Sequence, residues 1–105
     1  MKFTVEKFLA KLPLPANEKY TGGVPFVEVF NKGALKIELF APREKDLQTP
    51  HEQDEIYVIA EGESEFLLGD KRINCKFGDV LFVPAEMEHR FENFTEDFAT
   101  WVFFI

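Results

Sequence analysis

The chain is poor in residues that define several protein classes. It holds one cysteine, Cys75, among 105 residues. A single thiol excludes an internal disulfide and suits a reducing, cytoplasmic setting. It holds only two histidines, His51 and His89. Basic residues are scarce: 12 Lys+Arg stand against 19 Asp+Glu, a formal charge of −7. The densest basic spot is Lys71-Arg72. Nucleic-acid binding calls for a basic stripe, which is missing here. No run approaches the roughly 20 apolar residues of a membrane-spanning helix. The first residues do not read as a secretory leader, because Glu6, Lys7 and Lys11 interrupt their apolar run.

Aromatic residues are abundant instead. There are 13 Phe, and 46% of residues are hydrophobic, which suits a folded globule with a large core. The length fits one domain, spanning 1–105.

Residues 4–12 place Val5, Phe8, Leu9 and Leu12 on one helical face. Thr4 is placed to cap that helix, and Pro13 and Pro15 end it. The expected role is a packing lid or a dimer element. Everything after Pro15 reads as strands and turns. Strands are expected at 26–31, 34–41, 55–60, 64–68, 71–77, 80–84, 89–94 and 98–105. The polar, proline-bearing link 42–54 is expected to be irregular, with a short strand near Leu47–His51. Short strands at regular spacing predict an all-β, antiparallel sandwich or barrel. The last strand, FATWVFFI, has no charge after Asp97 and would aggregate as a bare edge. It is expected at the centre of a sheet or inside a subunit interface.

Each histidine belongs to a distinctive segment. His51, Glu55 and Gly62 stand at the spacing H-x3-E-x6-G. Gly78, Pro84, His89 and Asn93 stand at the spacing G-x5-P-x-x-x2-H-x3-N. These segments resemble the two motifs of the cupin superfamily, G-x5-H-x-H-x3,4-E-x6-G followed by G-x5-P-x-G-x2-H-x3-N. The resemblance covers about residues 34–105. It departs at three places: Arg43 falls on the leading glycine, Thr49 on the first histidine, and Glu86 on the glycine of the second motif.

The resemblance implies a small jelly-roll barrel over about 25–105 with a short N-terminal helix. It implies that His51, Glu55 and His89 converge inside the barrel as ligands of one divalent transition metal per chain, Fe, Zn, Ni or Mn. Two imidazoles and a carboxylate form a facial set that leaves positions open for substrate. Gln53, between His51 and Glu55, is a candidate fourth ligand and a candidate catalytic residue. Tyr57 shares strand parity with Glu55 and is a candidate to orient substrate or donate a proton. Glu86 is expected to produce a slightly different turn from the family's glycine. Asp54 is expected to be a solvated or turn-capping carboxylate, and Cys75 to pack inertly. Phe82, Phe91, Trp101 and Phe103 are expected to fill the barrel.

The implied function is a metal-dependent enzyme of dioxygenase or isomerase/lyase type acting on a small organic molecule. The alternatives are a non-catalytic metal- or ligand-binding module and a metal-free, epimerase-like acid–base enzyme. The apolar surplus beyond what a small barrel holds predicts a two-fold homodimer.

Overall fold

The computed structural model describes residues 1–105. One helix, α1 (Val5–Leu9), precedes eight strands: β1 (Phe26–Lys32), β2 (Leu35–Phe40), β3 (Glu55–Glu61), β4 (Glu63–Leu68), β5 (Lys71–Lys76), β6 (Val80–Val83), β7 (His89–Glu92) and β8 (Ala99–Phe104). They form a five-stranded sheet in the order β1-β2-β8-β3-β6 and a three-stranded sheet in the order β5-β4-β7. Every strand pair is antiparallel. This is a jelly roll whose two sheets face each other without closing into one hydrogen-bonded barrel. No helix is long and apolar enough to cross a membrane.

Strand alternation sorts the side chains. Phe40, Tyr57, Ile59, Phe66, Phe91, Val102 and Phe104 pack between the sheets in the main core. Strand β8 is flanked by β2 and β3, so the uncharged FATWVFFI segment is central, as its composition demands. On the outer face, Phe8 of α1 joins Leu39, Ala41 and Ala99 in a second cluster. The helix starts at its expected cap, with the Thr4 hydroxyl accepting from Lys7 N at 3.2 Å. It is shorter than the expected 4–12, because Lys11 N and Leu12 N donate to carbonyls only three residues back.

The chain passes from one sheet to the other at Gly62, between β3 and β4. Its φ is +74°, and an added Cβ would meet Thr95 Oγ1 and come within 3.0 Å of Phe98 Cα. Both conformation and space therefore require glycine there.

Two expectations about this frame need correction. Leu47–His51 is not a strand. Asp46 organises this link instead: its buried carboxylate accepts from Gln48 N at 3.0 Å and from Phe91 N at 2.8 Å. Those bonds, with Pro50, take the place of a ladder. Of the four aromatics expected to fill the interior, only Phe91 does so. Trp101 and Phe103 alternate with the inward Thr100, Val102 and Phe104, and so lie on the outer face. Phe82 is opposite Ile56 on that same face and is 53% exposed.

Candidate metal centre

Glu55 opens β3, His89 opens β7, and His51 ends the irregular link four residues before Glu55. The two sheets bring them together. Glu55 Oε2 lies 3.1 Å from His51 Nδ1 and 3.1 Å from His89 Nε2. One ligand atom from each residue lies within 4.8 Å of the others. An ion held at about 2.0–2.1 Å keeps neighbouring ligand atoms roughly 3 Å apart. The spacing and the N/N/O chemistry of the set therefore fit a divalent transition metal.

The protein holds these groups in defined states. His89 Nδ1 lies 2.8 Å from Met87 O. A carbonyl only accepts, so Nδ1 carries a proton and Nε2 is the atom turned to the site. Without a metal, Nε2 faces Glu55 Oε2 and, at 3.0 Å, Gln48 Oε1. Burial pushes the His89 pKa down, but the hydrogen bonds to Glu55 and Met87 outweigh it and the pKa ends above its ordinary value. Burial pushes Glu55 up, yet the hydrogen bonds from His51 and His89 bring its pKa to about 2. Without a metal, the buried Glu55 carboxylate is thus held against His89, with His51 beside it.

Gln48 completes this arrangement. Its Nε2 donates to Asp46 Oδ2 at 2.6 Å, which fixes its amide orientation and turns Oε1 toward His89. Tyr57 OH lies 3.0 Å from Gln48 Oε1, 3.2 Å from Glu55 Oε1 and 3.0 Å from His89 Nε2. Burial, then the charges of Glu55 and Asp46, raise the Tyr57 pKa well above its ordinary value, so the phenol stays protonated. Tyr57 is inside the site, where its parity with Glu55 put it.

Gln53 is not. Its amide Nε2 donates to Ala34 O at 2.8 Å, in the turn between β1 and β2. That bond commits its amide nitrogen to the β1–β2 turn, and Gln53 is not among the residues lining the cavity; Gln48 stands beside the second histidine. A partial signal was in the sequence: Gln48 immediately precedes Thr49, the position of the family's first histidine, and follows Asp46 by two. Thr49 itself lines the cavity. Asp54 caps a turn as expected, its Oδ1 accepting from Ala85 N at 2.7 Å. Cys75 is buried, and burial raises its pKa to about 11, as suits an inert thiol.

Glu86 departs from expectation in the other direction. Its φ is +67°, so the turn keeps the glycine-like conformation with a side chain in place. The strain is on the order of 1 kcal/mol. Glu86 N donates to His51 O at 2.8 Å, so this turn of the second motif secures the histidine of the first.

A cavity of about 360 Å³ opens over the centre. Phe26, Phe40, Val102 and Phe104 form its apolar wall, and Lys36, Glu38 and Tyr20 its polar one. A cavity of this volume has room for a small organic molecule, and His51 and Glu55 are among its lining residues.

Two facing antiparallel sheets with a His/Glu/His cluster between them define a jelly-roll protein with a candidate metal site. Residues 36–105 match the family model described as the cupin domain, and the chain belongs to that family. An uncharacterised protein of Streptomyces coelicolor is 36% identical over 59 residues, 56% of this chain and 56% of that protein. The chain thus matches about half the length of this curated relative. Among solved structures, KdgF from Halomonas sp. is similar with a TM-score of 0.67 at 20% identity, over 75% of this chain and 74% of that one. DMSP lyase DddQ from Ruegeria pomeroyi has a TM-score of 0.65 at 23% identity, over 75% and 45%. A cupin superfamily protein from Desulfitobacterium hafniense has a TM-score of 0.64 at 22% identity, over 76% and 74%. These structures share the fold.

Proposed function

We propose that this cupin is a metal-dependent enzyme acting on a small organic molecule held between its sheets. The observation that carries the reading is the meeting of His51, Glu55 and His89 ligand atoms within 4.8 Å, with His51 and Glu55 lining a cavity. A divalent ion bound there supplies Lewis-acid stabilisation of negative charge developing on a substrate oxygen.

The chain's own residues do the rest. The Met87 carbonyl orients His89, and the Asp46–Gln48 pair supports it from the other side. Tyr57 offers a neutral hydroxyl beside Glu55 Oε1 on the cavity lining. Phe26, Phe40 and Phe104 give the cavity an apolar wall. The reaction belongs to the dioxygenase or isomerase/lyase class, and the presence of a lyase among the fold neighbours suits this reading.

Metal-free acid–base catalysis is the weaker reading. The Glu55 carboxylate, 3.1 Å from a ring nitrogen of each histidine, raises the His89 pKa and so disfavours that residue as a neutral base. A non-catalytic metal-binding module is favoured by one feature, the threonine at position 49 where a third imidazole would strengthen the site. Two experiments separate these readings. Metal analysis of protein prepared without chelator tests the centre. Turnover assays on the loaded protein, matched to the metal found, separate enzyme from module: iron directs them to oxygen consumption, and zinc, nickel or manganese to isomerisation and elimination.

The outer face of the five-stranded sheet supports the homodimer expectation. Beyond the part covered by α1, Ile56, Val58, Phe82 and Phe103 with Val80 form an uncharged strip, on which Val80 is 65% exposed. Two-fold pairing brings identical surfaces together, and an uncharged strip permits this in a chain of charge −7. Light scattering at micromolar concentration is expected to show twice the 12.2 kDa chain mass; a monomer contradicts the pairing.

A further inference from the structure

Strand β2 places charge where a purely structural strand would not. Leu39 lies under α1 on the outer face, while Phe40 packs in the core between the sheets. Lys36 and Glu38 share the parity of Phe40, and both line the cavity over the metal centre. Charged groups on an inward strand face lose hydration that packing alone gives no reason to lose. Lys36 Nζ lies 3.3 Å from Glu38 Oε2, with the lysine side chain 35% exposed and the glutamate 13%. The same ammonium stands 4.7 Å from the Phe104 ring centroid. Phe104 in turn packs edge-on against His51, 5.1 Å between centroids. One aromatic ring therefore separates the ammonium from a histidine of the metal centre.

An ammonium has three N–H donors, and Glu38 takes one. The charges lining the cavity are Lys19 and Lys36 against Glu38 and Glu55, a balanced set. A divalent ion tips that set positive, while the chain as a whole, at −7, repels anions. The loaded cavity is then the place on this molecule suited to a negative ligand.

We propose that Lys36 anchors a carboxylate of the substrate, so that the site takes a small organic acid whose other polar end reaches the His51–Glu55–His89 centre. This rests on the metal reading above. The apolar wall of Phe26, Phe40 and Val102 accommodates the short hydrocarbon between the two ends. Lys36 is a binding residue, and its charge selects acids over neutral analogues.

The test uses the full chain loaded with manganese or zinc, its metal content measured first. Calorimetry then compares succinate and glutarate with their monoamides, which replace one carboxylate by a neutral group of nearly equal size. At least one dicarboxylate is expected to bind about tenfold more tightly than its monoamide, the worth of one charge-assisted hydrogen bond. Lys36→Met is expected to abolish that difference while retaining one metal per chain, and Lys36→Arg to preserve it. Because Lys36→Met leaves Glu38 unpaired, the double variant Lys36→Met/Glu38→Gln is measured beside it with the same expectation. Metal retention with no preference for the diacid, or a preference that survives both methionine variants, overturns the proposal and leaves the metal reading standing. Wild-type protein that retains no metal overturns both.

Discussion

The two histidines of the centre are held very differently. His89 lies on β7 with its side chain fully buried, Nδ1 fastened to Met87 O and Nε2 faced by Glu55, Gln48 and Tyr57. His51 lies in the irregular link, its side chain 37% exposed, its carbonyl accepting from Glu86 N and its ring beside Glu55 and Phe104. One wall of the site is pre-set by the core, and the other is carried by a loop. The contrast teaches that the candidate metal site and the fold need not depend on the same residues here: both histidines offer candidate ligand atoms, but only one is part of the packed interior.

The largest effect is expected from breaking the rigid wall. His89→Ala removes a ligand and leaves Glu55 short of a buried partner. Metal affinity is expected to fall at least about 100-fold. The metal-free protein is expected to lose about 2–4 kcal/mol, read as a lower melting temperature. His51→Ala is expected to cause a similar loss of metal with a change in stability within about 1 kcal/mol, because its pair with Glu55 is partly screened by solvent. Equal destabilisation by the two variants would erase the distinction.

The pH dependence sharpens the comparison further. His89 has a raised pKa in the fold, so its contribution to metal-free stability is complete below its ordinary 6.5 and is lost as pH rises through the folded value. Glu55 has a lowered pKa, so its contribution is present above its ordinary 4.5 and is lost as pH falls toward about 2. The metal-free pair is therefore strongest between those ordinary values. An ion bound at His89 Nε2 would require that atom deprotonated, so protein loaded with metal there is expected to gain stability with rising pH through neutrality. Thermal melts from pH 5 to 9 are expected to show opposite slopes for the two forms. Parallel slopes would count against His89 as a ligand.

Gln48 and Gln53 supply a smaller contrast. Gln48→Ala, which removes a support of the rigid wall, is expected to weaken metal binding up to about tenfold. Gln53→Ala, which removes a bond to Ala34 O, is expected to leave it unchanged. The smallest effect concerns the loop wall. Glu86→Gly relieves a left-handed conformation while keeping the backbone bond to His51, and is expected to stabilise the fold by about 0.5–1 kcal/mol. A loss of stability on that change would mean that the glutamate side chain contributes more than its strain.

Much of the frame was legible because alternation and turn residues are local properties. The eight strands and the shared parity of Glu55 and Tyr57 follow from period-two patterns and turn residues, and the central place of FATWVFFI from its lack of charge; that Glu55 and Tyr57 face inward came from the resemblance to the cupin motifs. The motif spacing picked out His51, Glu55 and His89, which the two sheets bring together. The misplacements involve residues whose surroundings are set by distant partners. Gln53 looked close to the site along the chain, but its amide is drawn to Ala34, 19 residues away. Gln48 owes its place to Asp46, whose carboxylate reaches across to Phe91 N. The inward pair of Lys36 and Glu38 has the parity the alternation shows, but parity alone does not say which face of a strand meets the cavity.

The most direct test of the central claim is elemental analysis of untagged protein prepared without chelator and, separately, reconstituted with iron, nickel, manganese or zinc, beside His89→Ala. Close to one transition-metal ion per chain, lost in a variant that remains folded, is the result this account expects. A wild-type chain that takes up none of the four metals while keeping its fold would contradict it.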